Sequence, residues 1–94
     1  MEFLVRTVNR MPADTPEGLR GELRMAERAR AAQLREAGIL KRLWRVPGTA
    51  EAIGLWEAPD ATALHDALTS LPTWAWLEVS VQALATHPQE RSVG

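Results

Sequence analysis

There is no cysteine in these 94 residues, which excludes disulfide staples and thiolate metal sites. There is no tyrosine either, and a single phenylalanine stands against four tryptophans, so indoles carry almost all of the aromatic character. No charge sign dominates. Lys and Arg number 11, Asp and Glu 12, for a formal net charge of −1, which removes the basic surplus expected of a nucleic-acid binder. No stretch approaches the roughly 18 apolar residues of a membrane span. The opening Met1-Glu2-Phe3-Leu4-Val5-Arg6 lacks the basic region and long apolar run of a signal peptide, so the expectation is a cytoplasmic protein. The two histidines, His65 and His87, show no ligand spacing, so no metal or other cofactor is expected. What remains, 46% hydrophobic and 24% charged, is the composition of one globular domain near the lower end of what folds on its own core.

Apolar periodicity places the elements. Phe3 to Arg10 alternates as a strand, with Phe3, Val5 and Thr7 on one face and Leu4, Arg6 and Val8 on the other. Met11 to Pro16 breaks it. Thr15 is the expected N-cap, with Pro16 in the first helical position and Glu17 behind it. Glu17 to about Ala37 is rich in Ala, Leu, Glu, Arg and Gln, with Leu19, Leu23, Ala26, Leu34 and Ala37 as its expected buried stripe. Gly38 should end this helix in the left-handed conformation. Ile39 to Val46 and Glu51 to Ala58 read as strands joined through Val46-Pro47-Gly48-Thr49, whose Pro-Gly order suits a type II turn. Asp60 caps a short helix carrying Leu64, Ala67, Leu68 and Leu71, which Pro72 closes. Leu77 to Leu84 alternates as the last strand. The domain is expected over residues 1 to 88, with a polar, frayed tail beyond.

The order β-α-β-β-α-β is the split βαβ arrangement. The fold class expected is α+β and ferredoxin-like, with right-handed crossovers placing both helices on one face of a four-stranded antiparallel sheet. Both parities of the middle strands carry large apolar groups: Leu40, Trp44 and Val46 against Ile39 and Leu43, and Trp56 against Ile53 and Leu55. A sheet apolar on both faces but covered on one calls for a partner. A homodimer packed sheet to sheet is the simplest answer, with a cavity between sheet and partner as the expected site.

At Leu43-Trp44-Arg45 the chain resembles the muconolactone isomerase family, and the likeness runs over about residues 1 to 88. It is carried by Phe3-x-Val5, Pro12-x-Asp14, Gly38, Leu43-Trp44-Arg45-x-x-Gly48, Ala63-Leu64-His65-Asp66-x-Leu68, Leu71-Pro72, and Val79 to Leu84 leading to His87-Pro88. The resemblance implies a dimeric α+β barrel, in the best-known members a ring of five dimers. It also implies a cofactor-free isomerase of the β-ketoadipate route that moves a double bond in a small lactone acid. Two segments depart from the family. Thr49-Ala50-Glu51 replaces a His and an aromatic residue after Gly48, and Thr73 to Glu78 replaces an aromatic-rich turn ending in Met-Asp.

Such a shift takes a proton from one carbon and returns it at another, so it needs a base that becomes an acid and a grip on the substrate's carboxylate. Glu27 aligns with the helix acid that resembles the family's acid/base, and it sits at the edge of the apolar stripe, where burial would raise its pKa. The alternative is a plain ion pair with Arg24 or Arg30. For substrate binding the candidates are Arg45, Lys41 and Arg6, with Arg45 favoured for its bidentate grip. Its competing role is a pair with Glu57, Glu78 or the partner chain. Strand parity does not choose between Arg45 and Arg42. Trp44 and Trp56 suit a core, although Trp44 is also a candidate for the pocket. Trp74 and Trp76, on a Pro-bounded connection, suit a pocket rim or subunit contact. His65 suits a surface or interface and His87 a tail contact. Arg30 falls within the stripe, where an inter-subunit ion pair would account for it. Two other functions compete with the isomerase: a cofactor-free tailoring enzyme of the same fold acting on an aromatic-derived or polyketide-like substrate, and a non-catalytic assembly or binding subunit whose cavity is filled by Trp side chains.

Overall fold

The computed structural model describes residues 1–91. Its elements run β1 (Glu2–Asn9), α1 (Glu17–Glu36), β2 (Leu40–Arg45), β3 (Glu51–Glu57), α2 (Ala61–Thr69), a 3-10 turn at Trp74–Trp76, β4 (Leu77–Leu84) and the one-turn helix α3 (Pro88–Arg91). The four strands form one sheet in the order β2-β3-β1-β4, with β1 antiparallel to both of its neighbours and β2 antiparallel to β3. This is the ferredoxin-like topology expected from the element order.

Pairing fixes the two faces. Phe3 lies opposite Trp56 and Ala83, and Val5 opposite Gly54 and Val81. These rows point toward the helices, where Phe3, Val5, Leu40 and Trp56 from the sheet form one buried cluster with Leu34 of α1 and Leu64, Ala67 and Leu68 of α2. Both helices therefore cover one face. The other face carries Leu4, Ile53, Leu55 and Trp44, with no helix above them. Two of its arginines are paired within the chain, Arg6 with Glu51 and Arg10 with Glu78 at 2.9 Å.

The terminus of α1 closes as its sequence directs. Gly38 adopts φ +76, its N–H bonds to the Arg35 carbonyl, and the Ile39 N–H bonds to that of Leu34. That paired pattern is the Schellman motif, and it satisfies carbonyls that the helix end would leave open. At the other end the expectation needs correction. Pro16 occupies the N-cap position, with no side-chain cap. The Thr15 hydroxyl donates to the Pro12 carbonyl instead, so it stabilises the preceding turn rather than the helix. Asp60 does cap α2, accepting from the Ala63 N–H at 2.8 Å.

Three further differences bear on the site. The inward face of α1 runs through Leu23, Glu27, Ala31 and Leu34, while Ala26 and Ala37 are exposed and Leu19 is 43% exposed. Glu27 thus lies in the middle of the buried stripe and not at its edge. In β2 the register shifts between Leu40 and Arg42, because Leu40 pairs with Trp56 but Arg42 with Leu55 and Leu43 with Gly54. Such a bulge moves later side chains to the opposite face. Leu40, Leu43 and Arg45 therefore look toward the helices while Arg42 and Trp44 look away, which strict alternation from Leu40 does not anticipate. Finally, the tail forms a helical turn as far as Arg91; the rest of the expected frayed segment, residues 92 to 94, lies outside the described residues.

Candidate active site

Two connected spaces lie between α1 and the sheet, and Glu27, Ala31 and Leu43 belong to the walls of both. The outer one is a cleft of about 800 Å³ reaching from Asn9 and Met11 along α1 to Leu43 and Arg45. The inner one is a chamber of about 160 Å³ bounded by Val5, Thr7, Gly54 and Trp56 of the sheet, with Leu71 and Leu77 closing it. Both spaces are on the helix side of the sheet, where α1 presents Glu27 and Ala31 to them. The cavity expected between sheet and partner would lie on the open face, where Leu4, Arg6, Ile53, Ser80 and Gln82 bound a separate space of about 350 Å³.

Among the described residues Glu27 is the only acid lining either space. Its Oε2 accepts a hydrogen bond from the hydroxyl of Thr73, a residue only 4% exposed that the Leu71-Pro72 stop delivers from the end of α2. Its Oε1 is buried with no hydrogen-bond partner among the described residues. Burial accordingly raises the Glu27 pKa above its ordinary value, and the hydrogen bonding from Thr73 opposes the rise only in part. The alternative ion pair with Arg24 or Arg30 does not form among the described residues. Arg30 instead donates to Ser70 Oγ and to Gln33 Oε1, each at 2.9 Å, tying α1 to the end of α2. This also gives Arg30 partners within its own chain.

The outer cleft is cationic. Arg20, Arg24, Arg28 and Arg35 of α1 line it, and Arg45 faces them from β2. Arg20 is committed to the Pro12 carbonyl at 2.6 Å and the Thr15 carbonyl at 3.3 Å. Among the described residues Arg45 reaches only the Ala50 carbonyl, at 3.3 Å, and forms no pair with Glu57 or Glu78. Glu57 sits 3.7 Å from the chain's amino terminus.

The candidate residues thus divide. Glu27 and Arg45 come together at the cleft. Arg6 is on the opposite face with Glu51. Lys41 sits at the bulge, exposed and lining neither space. Trp44 is on the open face under the Arg42 guanidinium, 5.2 Å from the ring centroid, a cation–π contact. Trp74 packs against the core and meets His65 edge to face at 6.2 Å. Trp76 is half-buried in the 3-10 turn, away from both cavity walls. His87 Nδ1 accepts from the Gln89 N–H at 3.1 Å. Among the described residues no cluster of His, Asp and Glu could hold a metal ion, and no helix is long and apolar enough to cross a membrane. Thr73 and Trp56, both in contact with the site's interior, were not among the residues assigned to it by sequence. The departure at Thr73 after Leu71-Pro72 was the available signal for the first.

The linkage of Glu27 to stability has a definite sign. Its folded-state pKa is raised, so the folded chain holds this proton more tightly than the unfolded chain does. The stabilisation is complete below the unfolded value and is lost as pH rises through the folded one. Wild type should therefore lose stability, relative to Glu27→Gln, on going from below the ordinary value of 4.5 to neutral pH. Urea titrations of the two proteins across that range check this; a constant difference between them would show that Glu27 titrates normally.

Comparison with known proteins bears directly on this arrangement. The family model described as muconolactone delta-isomerase matches residues 1–90. The muconolactone delta-isomerase of Pseudomonas aeruginosa is 31% identical over 88 residues, covering 94% of this chain and 92% of that protein. That of Cupriavidus pinatubonensis is also 31% identical over 88 residues, covering 94% and 96%. A crystal structure of muconolactone isomerase superposes with a TM-score of 0.90 at 29% identity, covering all of this chain and 96% of the other. A 5-chloro-2-hydroxyhydroquinone dehydrochlorinase from Burkholderia phenoliruptrix shares the fold at a TM-score of 0.67 and 15% identity over 95% of this chain and 98% of that one. With residues 1–90 matched in sequence and the whole chain in fold, and an acid set between helix and sheet, the chain belongs to the muconolactone delta-isomerase family.

Proposed function

We propose that this chain is a cofactor-free isomerase that shifts the double bond of muconolactone or a closely similar lactone acid, in the β-ketoadipate route of a cytoplasmic catabolic pathway. The observation that carries this reading is Glu27: one acid, half-satisfied and partly desolvated, at the junction of a cationic cleft and an apolar chamber. A carboxyl group whose pKa lies above its ordinary value is suited both to take a proton and to give it back. Glu27 breaks the C–H bond at one ring carbon and receives the proton. The electron pair spreads to the lactone carbonyl oxygen, and Glu27 then returns the proton to a second carbon. Arg45 holds the substrate's carboxylate away from the reacting carbons. The open chamber beside Glu27 also tells against a non-catalytic subunit, which would have that space filled by indole rings.

Two copies of the chain are proposed to pack through the open sheet face, with a ring of five such dimers as the larger assembly. The support is the uncovered Leu4, Ile53 and Leu55 surface, together with Trp44 at 43% exposure. Light scattering at micromolar concentration should find a dimer or a multiple of it. A stable, folded monomer would remove this part of the proposal.

Glu27→Gln preserves size but cannot cycle a proton, so kcat on muconolactone should fall by about 10²–10⁴-fold, the usual scale of general acid–base catalysis. Turnover that survives the change would move the proton carrier elsewhere. Arg45→Ala should raise KM more than it lowers kcat, because a remote carboxylate is bound equally in ground and transition states. Equal affinity of Arg45→Ala and wild type for a carboxylate analogue would take Arg45 out of the site.

A further inference from the structure

The inner chamber holds a polar group that the proton transfer does not use. Trp56 is 4% exposed, and among the described residues its indole Nε1 makes no side-chain hydrogen bond, while Glu27 Oε1 is the fully buried polar atom left unpaired. Tryptophan can only donate, so an indole N–H that opens on a cavity is available to an acceptor placed there. The neighbouring glycine shows where that N–H lies. A Cβ built on Gly54, two residues earlier on the same face of β3, would stand 2.6 Å from Trp56 Nε1 and 3.1 Å from Leu43 Cδ2. The indole nitrogen therefore occupies the space that a side chain at position 54 would take. That space is on the helix side of the sheet, where Gly54, Trp56 and Glu27 all line the inner chamber. Glycine inside a strand weakens it and marks a close approach; here the approaching group is the N–H edge of an indole.

We infer that the Trp56 N–H, seated over Gly54, donates a hydrogen bond to the lactone carbonyl oxygen as that oxygen becomes negative, an inference that rests on the isomerase reading above. When Glu27 takes the carbon proton, the electron pair released from the C–H bond moves onto this oxygen. Trp56 keeps its own proton throughout, and the charge disappears when Glu27 protonates the second carbon. A donor fixed in advance by packing needs no reorganisation as the charge develops, which is what makes it effective. Thr7 is the other hydroxyl or N–H donor lining the chamber apart from this indole. Its hydroxyl rotates and also accepts, whereas the indole is locked by its burial and presents a donor alone.

The test uses the full chain and two probes that share a carboxymethyl group. One is a carboxymethyl tetronate, ionised at neutral pH so that its ring oxygen bears the charge. The other is a saturated carboxymethyl butyrolactone with a neutral ring. Wild type should prefer the tetronate, and Trp56→Phe should erase most of that preference while binding the lactone about as well as wild type. With muconolactone, kcat of Trp56→Phe should fall by about 10–100-fold with KM little changed, at or below the usual cost of losing one oxyanion donor. A merely structural role for Trp56 would weaken binding of both probes together. Gly54→Ala, which displaces the indole edge, should lose the preference in the same direction and decides the matter if Trp56→Phe does not fold. The inference is overturned if wild type shows no preference for the tetronate, if Trp56→Phe keeps it, or if Thr7→Val is the variant that loses it. A wild type that isomerises muconolactone while Trp56→Phe matches it in every respect sinks only the role of Trp56. A wild type inactive on muconolactone sinks the isomerase reading itself.

Discussion

Glu27 has been taken partly out of water with a single hydrogen bond to compensate it, and much of the surrounding structure can be understood from that constraint. Burying a carboxylate without full pairing is costly, and the cost falls when the group stays protonated. The fold meets it by delivering Thr73 to one oxygen and leaving the other without a described partner. Thr73 can be there because α2 ends at Thr69 and the chain turns through Leu71 and Pro72 into the 3-10 turn at Trp74–Trp76. Helix α1 is in turn anchored below the acid by the buried Leu34 and by the Arg30 hydrogen bond to Ser70. The position of one carboxylate thus depends on contacts from both helices.

The bulge in β2 is the second constraint. Without the register shift between Leu40 and Arg42, a strand that buries Leu40 against Trp56 would send Trp44 toward the helices and Arg45 to the open face. The extra residue reverses both. Arg45 arrives opposite α1 at the cleft, and Trp44 joins Arg42 on the uncovered side, where their cation–π contact gives the guanidinium a neighbour. Leu43 is also brought over Gly54, where it helps to define the chamber. One inserted residue therefore changes which cation reaches the cleft beside α1.

Element order, the length of α1 and the alternation of β4 were legible from apolar spacing, because those signals are local and repeat, whereas α2 ends at Thr69 and leaves Leu71, expected on the helix, in the turn beyond it. The type II turn was legible as well, since Gly48 takes φ +77 as the Pro-Gly order requires. The bulge was not, because Leu40 to Val46 alternates acceptably in either register and only pairing with β3 breaks the tie. The inward face of α1 was read one step off. Leu19 and Ala26 are apolar enough to suggest burial, but the sheet beneath α1 is contacted through Leu23, Glu27, Ala31 and Leu34. A carboxylate in the middle of that face contradicts the binary pattern, and such contradictions are expected at functional positions. The space under α1 was not anticipated for a related reason: it is set by side-chain volume at a few contacts, which periodicity does not report.

The separation between Glu27 and the arginines is itself informative. A guanidinium within about 4–6 Å of a carboxylate favours the charged form and lowers its pKa, so a paired Glu27 would stay ionised and return a proton poorly. The cleft nevertheless contains Arg24, Arg28, Arg35 and Arg45, none of which forms an ion pair among the described residues. Exposed cations of this kind are screened by salt over roughly 8–10 Å, so they can draw an anion to the cleft without fixing the state of an acid behind Ala31 and Leu43. Burial sets the proton affinity of Glu27 and the exposed arginines set the attraction for a carboxylate, and the two effects stay independent only while no arginine swings in to pair with the acid. Arg30, three residues after Glu27 on α1, is held by Ser70 and Gln33, which keeps its charge from the carboxylate one turn away.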